Sequence, residues 1–232
     1  MRSSIKALVV VCVLAMSVEA QEVVPATGAG ARAVLFSFSG LATLGAGNFD
    51  GGVGARYFLS DALAVRGGVR FATAGQDIPA NPAAGNTGID GSRSATVIGV
   101  SGAVEFRMAK KRVSPYFGGG ASLTMTSTES KSDEQGAPPP VQTVVKNDTG
   151  GENVDGVFYR SGTTLAIFGM FGVEFFVYNE MSLSAEYRLG YAMTSRPDEE
   201  TTVGPVTTTV QAGGGSTLGF TNGGALTLSV YF

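Results

Sequence analysis

The residues that could do chemistry in this chain are carboxylates and guanidinium groups: Asp50, Arg56, Arg66, Arg70, Glu105, Arg107, Glu174, Glu186 and Arg188. Groups of these two kinds, in near balance, form ion-pair networks. If they are buried they must do so, because an unpaired charge removed from water is very costly. The chain has no histidine, which excludes mechanisms that rely on an imidazole as general acid or base. A carboxylate-only hydrolase would have to draw on Asp198, Glu199 and Glu200, a run that reads more simply as a solvated loop. The glycine-rich stretches at 28–30 and 45–54 contain no Gly-Lys-Ser/Thr and open no helix, so they do not make a phosphate loop. No catalytic residue, cofactor or metal site is expected.

These charges sit in a chain of 232 residues with a formal net charge of −3 and only 15% charged residues. That is well below the roughly 25% of ordinary soluble proteins, and no nucleic-acid footprint appears. The N-terminus reads as an export signal over 1–20. Arg2 and Lys6 precede the apolar run 7–16, and Val18-Glu19-Ala20 sets a small residue before a cut between Ala20 and Gln21. The apolar run is too short to span a bilayer as a helix. The only cysteine, Cys12, lies within it, so the exported chain is expected to carry no thiol and no disulfide. A Pro/Gly/Ala stretch over 21–31 reads as a periplasmic lead-in, followed by one domain over 32–232.

That domain shows no long apolar helix but about eight runs that alternate apolar with small or polar residues. They fall near 32–41, 49–59, 62–72, 95–108, 113–125, 163–178, 181–194 and 218–232. The connections at 60–61, 109–112 and 179–180 are tight, whereas those at 75–94, 126–162 and 195–217 are long and polar. The long segment 126–162 is expected to be mobile and exposed. Short turns on one side and long loops on the other are the pattern of an outer-membrane barrel.

Side-chain direction sharpens this reading, because successive residues of a strand point to opposite faces. Leu63, Val65, Val69 and Phe71 share a face opposite Arg66 and Arg70. Ile98, Val100, Val104 and Phe106 oppose Glu105 and Arg107. Leu165, Ile167, Phe171, Val173 and Phe175 oppose Glu174, and Leu183, Tyr187 and Leu189 oppose Glu186 and Arg188. Val53, Tyr57 and Leu59 oppose Asp50 and Arg56. No mid-strand charge falls on the oily face, where an arginine at mid-bilayer would cost about 2–4 kcal/mol. The fold class is therefore an all-β, eight-stranded antiparallel up-and-down transmembrane barrel. Its lumen is expected to hold an arginine–carboxylate network, with Gly52, Gly54, Gly68, Gly99, Gly118, Gly120, Gly172 and Gly190 making room and Tyr116, Phe168, Met170 and Phe176 adding bulk.

The chain ends Leu226-Thr227-Leu228-Ser229-Val230-Tyr231-Phe232. Leu226, Leu228, Val230 and Phe232 form one stripe, and with Tyr231 the segment looks like the C-terminal assembly signal of outer-membrane proteins. Four groups of residues carry a wider resemblance: Tyr57-Phe58-Leu59-Ser60-Asp61 with Leu63-Ala64-Val65-Arg66-Gly67-Gly68, then Pro115-Tyr116-Phe117-Gly118-Gly119-Gly120, then Ala185-Glu186-Tyr187-Arg188, then Phe232. In their order and spacing, 32–232 resembles the OmpA/OmpX-type small outer-membrane β-barrels. The resemblance implies an eight-stranded barrel in the outer membrane of a Gram-negative-type cell, but no single activity.

The function expected is non-enzymatic: a structural or surface-recognition barrel with its lumen plugged by the charge network. The alternative is a narrow pore for small solutes, and a histidine-independent enzyme comes third. The expected partners are outer-membrane lipid and lipopolysaccharide, the barrel-assembly machinery, and a host or surface ligand met through the loops. Nucleic acid is not among them, and a monomer is expected.

Overall fold

The structure is a computed structural model that describes residues 23–38, 48–80, 87–132, 134–136, 141–220 and 225–232. The 1–20 segment and the Ala20–Gln21 junction lie outside the described residues. Eight antiparallel strands close into a ring: β1 (Arg32–Phe38), β2 (Asn48–Phe58), β3 (Leu63–Ile78), β4 (Gly91–Arg107), β5 (Val113–Lys131), β6 (Gly162–Tyr178), β7 (Met181–Ser195) and β8 (Ala225–Tyr231). Neighbours in sequence are neighbours in space. The ring is shut by β8 against β1, with Ala33 opposite Tyr231 and Phe38 opposite Leu226. Closure leaves no lipid-exposed strand edge, which the bilayer would otherwise penalise at every unpaired N–H and C=O.

The alternation seen in the sequence decides which side faces where. Val53, Val69, Ile98, Val100, Ile167 and Phe171 are each at least half exposed on the outer wall. Between them and the next strand, Phe106 stacks on Phe117 with ring centroids 5.5 Å apart, and Phe171 on Tyr187 at 5.7 Å. Both pairs are directly opposed cross-strand neighbours, where aromatic partners stabilise a sheet most. In the lumen the glycines do a steric job. A side chain on Gly118 or Gly120 would collide with the carbonyl oxygens of Val104 and Gly102 on β4, so only glycine lets β5 lie this close to its neighbour.

Strand lengths depart from the expectation in one direction. β3, β4, β5 and β6 run to 16, 17, 19 and 17 residues, where about 9–11 tilted residues cross a bilayer. The excess lies at the end of the long connections, so the wall continues beyond the apolar band. The long polar connections carry strands of their own. Residues Thr143–Lys146 pair with the top of β5, and a hairpin of Glu199–Val203 and Val206–Val210 pairs with Thr143–Lys146 in turn. A second hairpin, Glu152–Val154 with Val157–Tyr159, folds inward, placing Val154 against Ala74 and Ala95. The Glu199–Val210 hairpin lacks strong apolar alternation because both of its faces meet water, and period-two reading depends on one dry face; Glu152–Val154 has a dry face but spans only 3 residues.

The eighth strand also differs from the run 218–232. It is preceded by a strand, Gly215–Phe220, which pairs with the upper part of β7, whereas β8 pairs with the lower part. The lead-in over 23–31 is ordered, not a free tether. Val24 N–H donates to Asn179 Oδ1, Ala26 N–H to the Asn179 carbonyl, and Gly30 N–H to the Phe58 carbonyl. Val23, Ala26 and Ala31 pack on a cluster of Ala33, Leu35, Phe58, Ala64, Phe176 and Tyr231, closing the end of the barrel that bears the short turns.

Candidate functional site

Above that apolar floor the lumen holds two tiers of charge. The inward positions of β2, β4 and β6 bring Arg56, Glu105, Arg107 and Glu174 to one height. Arg56 is fully buried. Its Nη1 donates to Glu174 at 3.1 Å and to the Tyr231 hydroxyl at 2.6 Å, and its Nη2 donates to Glu105 at 3.2 Å. Its Nε lies 3.0 Å from Glu105 Oε2, a charge contact whose N–H is not well aimed. Glu174 is the hub. It also accepts from Arg107, from the Ser182 hydroxyl and, at 2.7 Å, from the Tyr231 hydroxyl. Arg107 sits 5.0 Å from the Phe58 ring centroid, so the floor contributes a cation–π contact to the tier.

The second tier is built on β3, β5 and β7. Arg66 bridges the tiers, with Nη1 2.9 Å from Glu105 and Nη2 2.6 Å from Glu186. Glu186 also accepts from the Tyr116 hydroxyl at 3.0 Å and from Arg188 Nε at 2.7 Å. Arg188 in turn lies over the Phe168 ring, 4.5 Å from its centroid. Above the tiers is a cavity of about 330 Å³ lined by Arg66, Arg70, Glu186, Arg188, Ser101 and Thr124 among others.

The structure thus brings together Arg56, Arg66, Glu105, Arg107, Glu174, Glu186 and Arg188. Arg70 lines the wall of the cavity and is exposed, whereas the tier side chains below are buried or half-buried. Asp50 belongs to β2, but its side chain lies outside the described residues. Three groups in the network were not expected there. Tyr231 was read only as part of the terminal signal, yet its ring is buried and its hydroxyl joins Arg56 to Glu174. Ser114 and Ser182 are likewise buried partners of Arg107 and Glu174. The period-two rule already turns Tyr231 away from the Leu226, Leu228, Val230 and Phe232 stripe; strand parity was the available signal. Of Asp198, Glu199 and Glu200, the last two lie on the outer hairpin rather than in a loop. Glu199 accepts from the Thr149 N–H and hydroxyl, both at 2.9 Å, and these hydrogen bonds hold its carboxyl below the usual range.

The Glu174 and Glu186 carboxylates are each shared among guanidinium and hydroxyl donors from other strands. Among the described residues no cluster of potential ligands could hold a metal ion. The arrangement cross-braces opposite walls.

Comparison with known proteins gives three results. The chain matches the model of the outer membrane protein beta-barrel domain over residues 8–218. No curated protein matches it in sequence. Among solved structures it is similar to Ail, the attachment invasion locus protein of Yersinia pestis, at 14% identity and a TM-score of 0.33, covering 88% of this chain and 99% of that one.

Proposed function

We propose, from the premise that this chain belongs to the outer membrane protein β-barrel family, that it is a non-catalytic barrel displayed at the cell surface, its lumen closed by the Arg56–Glu105–Arg107–Glu174 tier. The location is the outer membrane. The observation that carries the reading is the Arg56 side chain, which has no exposure to solvent and is shared between carboxylates from two other strands. An ion crossing the lumen would have to part buried pairs, each of which costs several kcal/mol to break. The packed lead-in beneath and the Glu152–Tyr159 hairpin above narrow the path at both ends.

Purified protein in planar bilayers is expected to give no stable single channels. Steady ion-carrying openings would instead support a narrow pore. The surface role rests on the long outer strands, which spend chain on a sheet beyond the membrane that a mere wall would not need.

Two further readings belong with this one. Leu226, Leu228, Val230 and Phe232 face outward on the closing strand, where assembly machinery could grip them before closure. Export requires removal of 1–20, and the packing of the chain from Val23 onward under the barrel suits a mature terminus there. Edman sequencing of the membrane-extracted protein is expected to begin at Gln21; a start at Met1 would defeat the export signal reading.

A further inference from the structure

From Thr201 to Phe232 the chain carries no charged residue. Within this stretch lies Val206-Thr207-Thr208-Thr209-Val210, a sequence that reads the same in both directions. It forms the outer strand of the Glu199–Val210 hairpin and stands at the end of the extended sheet. All five residues are exposed, and among the described residues no strand pairs with its outer edge. Natural edges of this kind are usually blunted by lysine, proline, a bulge or a covering segment. None of these interrupts this strand, since Pro205 is confined to the turn.

The register fixes which groups the edge offers. A two-residue loop, Gly204-Pro205, joins Val203 to Val206, with Gly204 at φ 55°. Such loops close on a hydrogen-bonded pair, and bonded and non-bonded pairs then alternate along the strands. Val206, Thr208 and Val210 therefore bond inward. The Thr202 and Thr207 hydroxyls, 3.0 Å apart, fit the closer spacing of a non-bonded pair. The N–H and C=O groups of Thr207 and Thr209 are thus turned outward. The hairpin is also held in place, because Glu200 and Thr202 are opposite Lys146 and Val144, and Glu199 is tied to Thr149.

We propose that this edge pairs with the same edge of a second copy, antiparallel, about a two-fold axis through Thr208. In that register Thr207 faces Thr209 of the other copy and both exchange main-chain bonds. Thr208 faces Thr208, and Val206 faces Val210, giving β-branched cross-strand pairs of the favourable kind. The palindrome is what selects a second copy over a foreign strand: every position meets its own type or its match, and no like charges meet. An edge of five residues buries well under the ~1,200 Å² of lasting complexes, so the association is reversible and rises with concentration. It departs from the monomer expected of the sequence.

The test is disulfide trapping of the full chain in detergent micelles, in a Cys12→Ser background. Residues directly opposite in a non-bonded pair have Cα atoms about 4.5 Å apart, within disulfide reach. Thr208→Cys should therefore form a covalent dimer under mild oxidation. Glu200→Cys, on the inner strand of the same hairpin and similarly exposed, should not. Adding Thr209→Pro to Thr208→Cys removes an outward N–H from each copy without touching the hairpin's own bonds, and should cut trapping by about tenfold or more. Heat-shifted gel migration checks that each variant is folded. Absence of the Thr208→Cys dimer, equal trapping at Glu200→Cys, or indifference to Thr209→Pro in folded protein would each overturn the proposal.

Discussion

Replacing Arg56 with methionine is expected to lower the unfolding free energy of the bilayer-reconstituted protein by about 3–5 kcal/mol, the range for removing one partner of a buried pair. The apolar volume is nearly kept, so the loss is electrostatic. Glu105 and Glu174 would remain at zero exposure with one fewer cation between them. Arg66 and Arg107 still reach those carboxylates, which puts the expected value at the lower end. Tyr231→Phe should cost less, about 1.5–3 kcal/mol, since it removes one hydroxyl bonded to charged groups on both sides. Adding Glu174→Gln to Arg56→Met should recover part of the loss, because the stranded charge goes with its cation. Urea titration followed by tyrosine fluorescence or gel migration measures all three. If Arg56→Met unfolds within about 0.5 kcal/mol of the parent, as surface changes do, the tier is not what braces the walls.

The second large effect lies on the other side of the same wall. Val100→Arg on β4 is expected to destabilise by about 2–4 kcal/mol, the cost of an arginine at the bilayer midplane. Ser101→Arg, one residue along, should be much milder, because its side chain enters the cavity of about 330 Å³. Val100 is 52% exposed, so in a water-soluble molecule the ranking would reverse: the arginine would be solvated at 100 and crowded at 101. The order of the two variants therefore decides which solvent bathes the outer face.

How much of this was readable in advance follows from where dry and wet faces alternate. β2, β3, β4, β6 and β7 cross the bilayer with lipid on one side and a packed lumen on the other, so Arg56, Arg66, Glu105, Arg107, Glu174, Glu186 and Arg188 could be assigned to one face from parity alone. What parity could not supply was height. Arg70 and Arg66 share a face four residues apart, yet Arg66 joins both tiers while Arg70 belongs to the cavity above. Ser114 and Ser182 were invisible for a related reason: a serine is unremarkable until the strand stagger sets it beside a buried charge. The outer hairpins escaped notice because Thr201, Thr207, Thr208 and their neighbours meet water on both faces. The ordered lead-in escaped because packing over a barrel mouth leaves no periodic trace.

Tyr231 gives the design a temporal meaning. The phenol that hydrogen-bonds Glu174 rides on β8, the strand that shuts the ring against β1. Until that strand zips onto Arg32–Phe38, the most deeply sequestered ions of the molecule lack a ligand. Sealing the cylinder and satisfying its innermost charges are therefore one event, and a half-wound intermediate gains little from either. A closing strand slipped by one residue would turn that hydroxyl to the lipid side and leave two arginines and a carboxylate short of an oxygen.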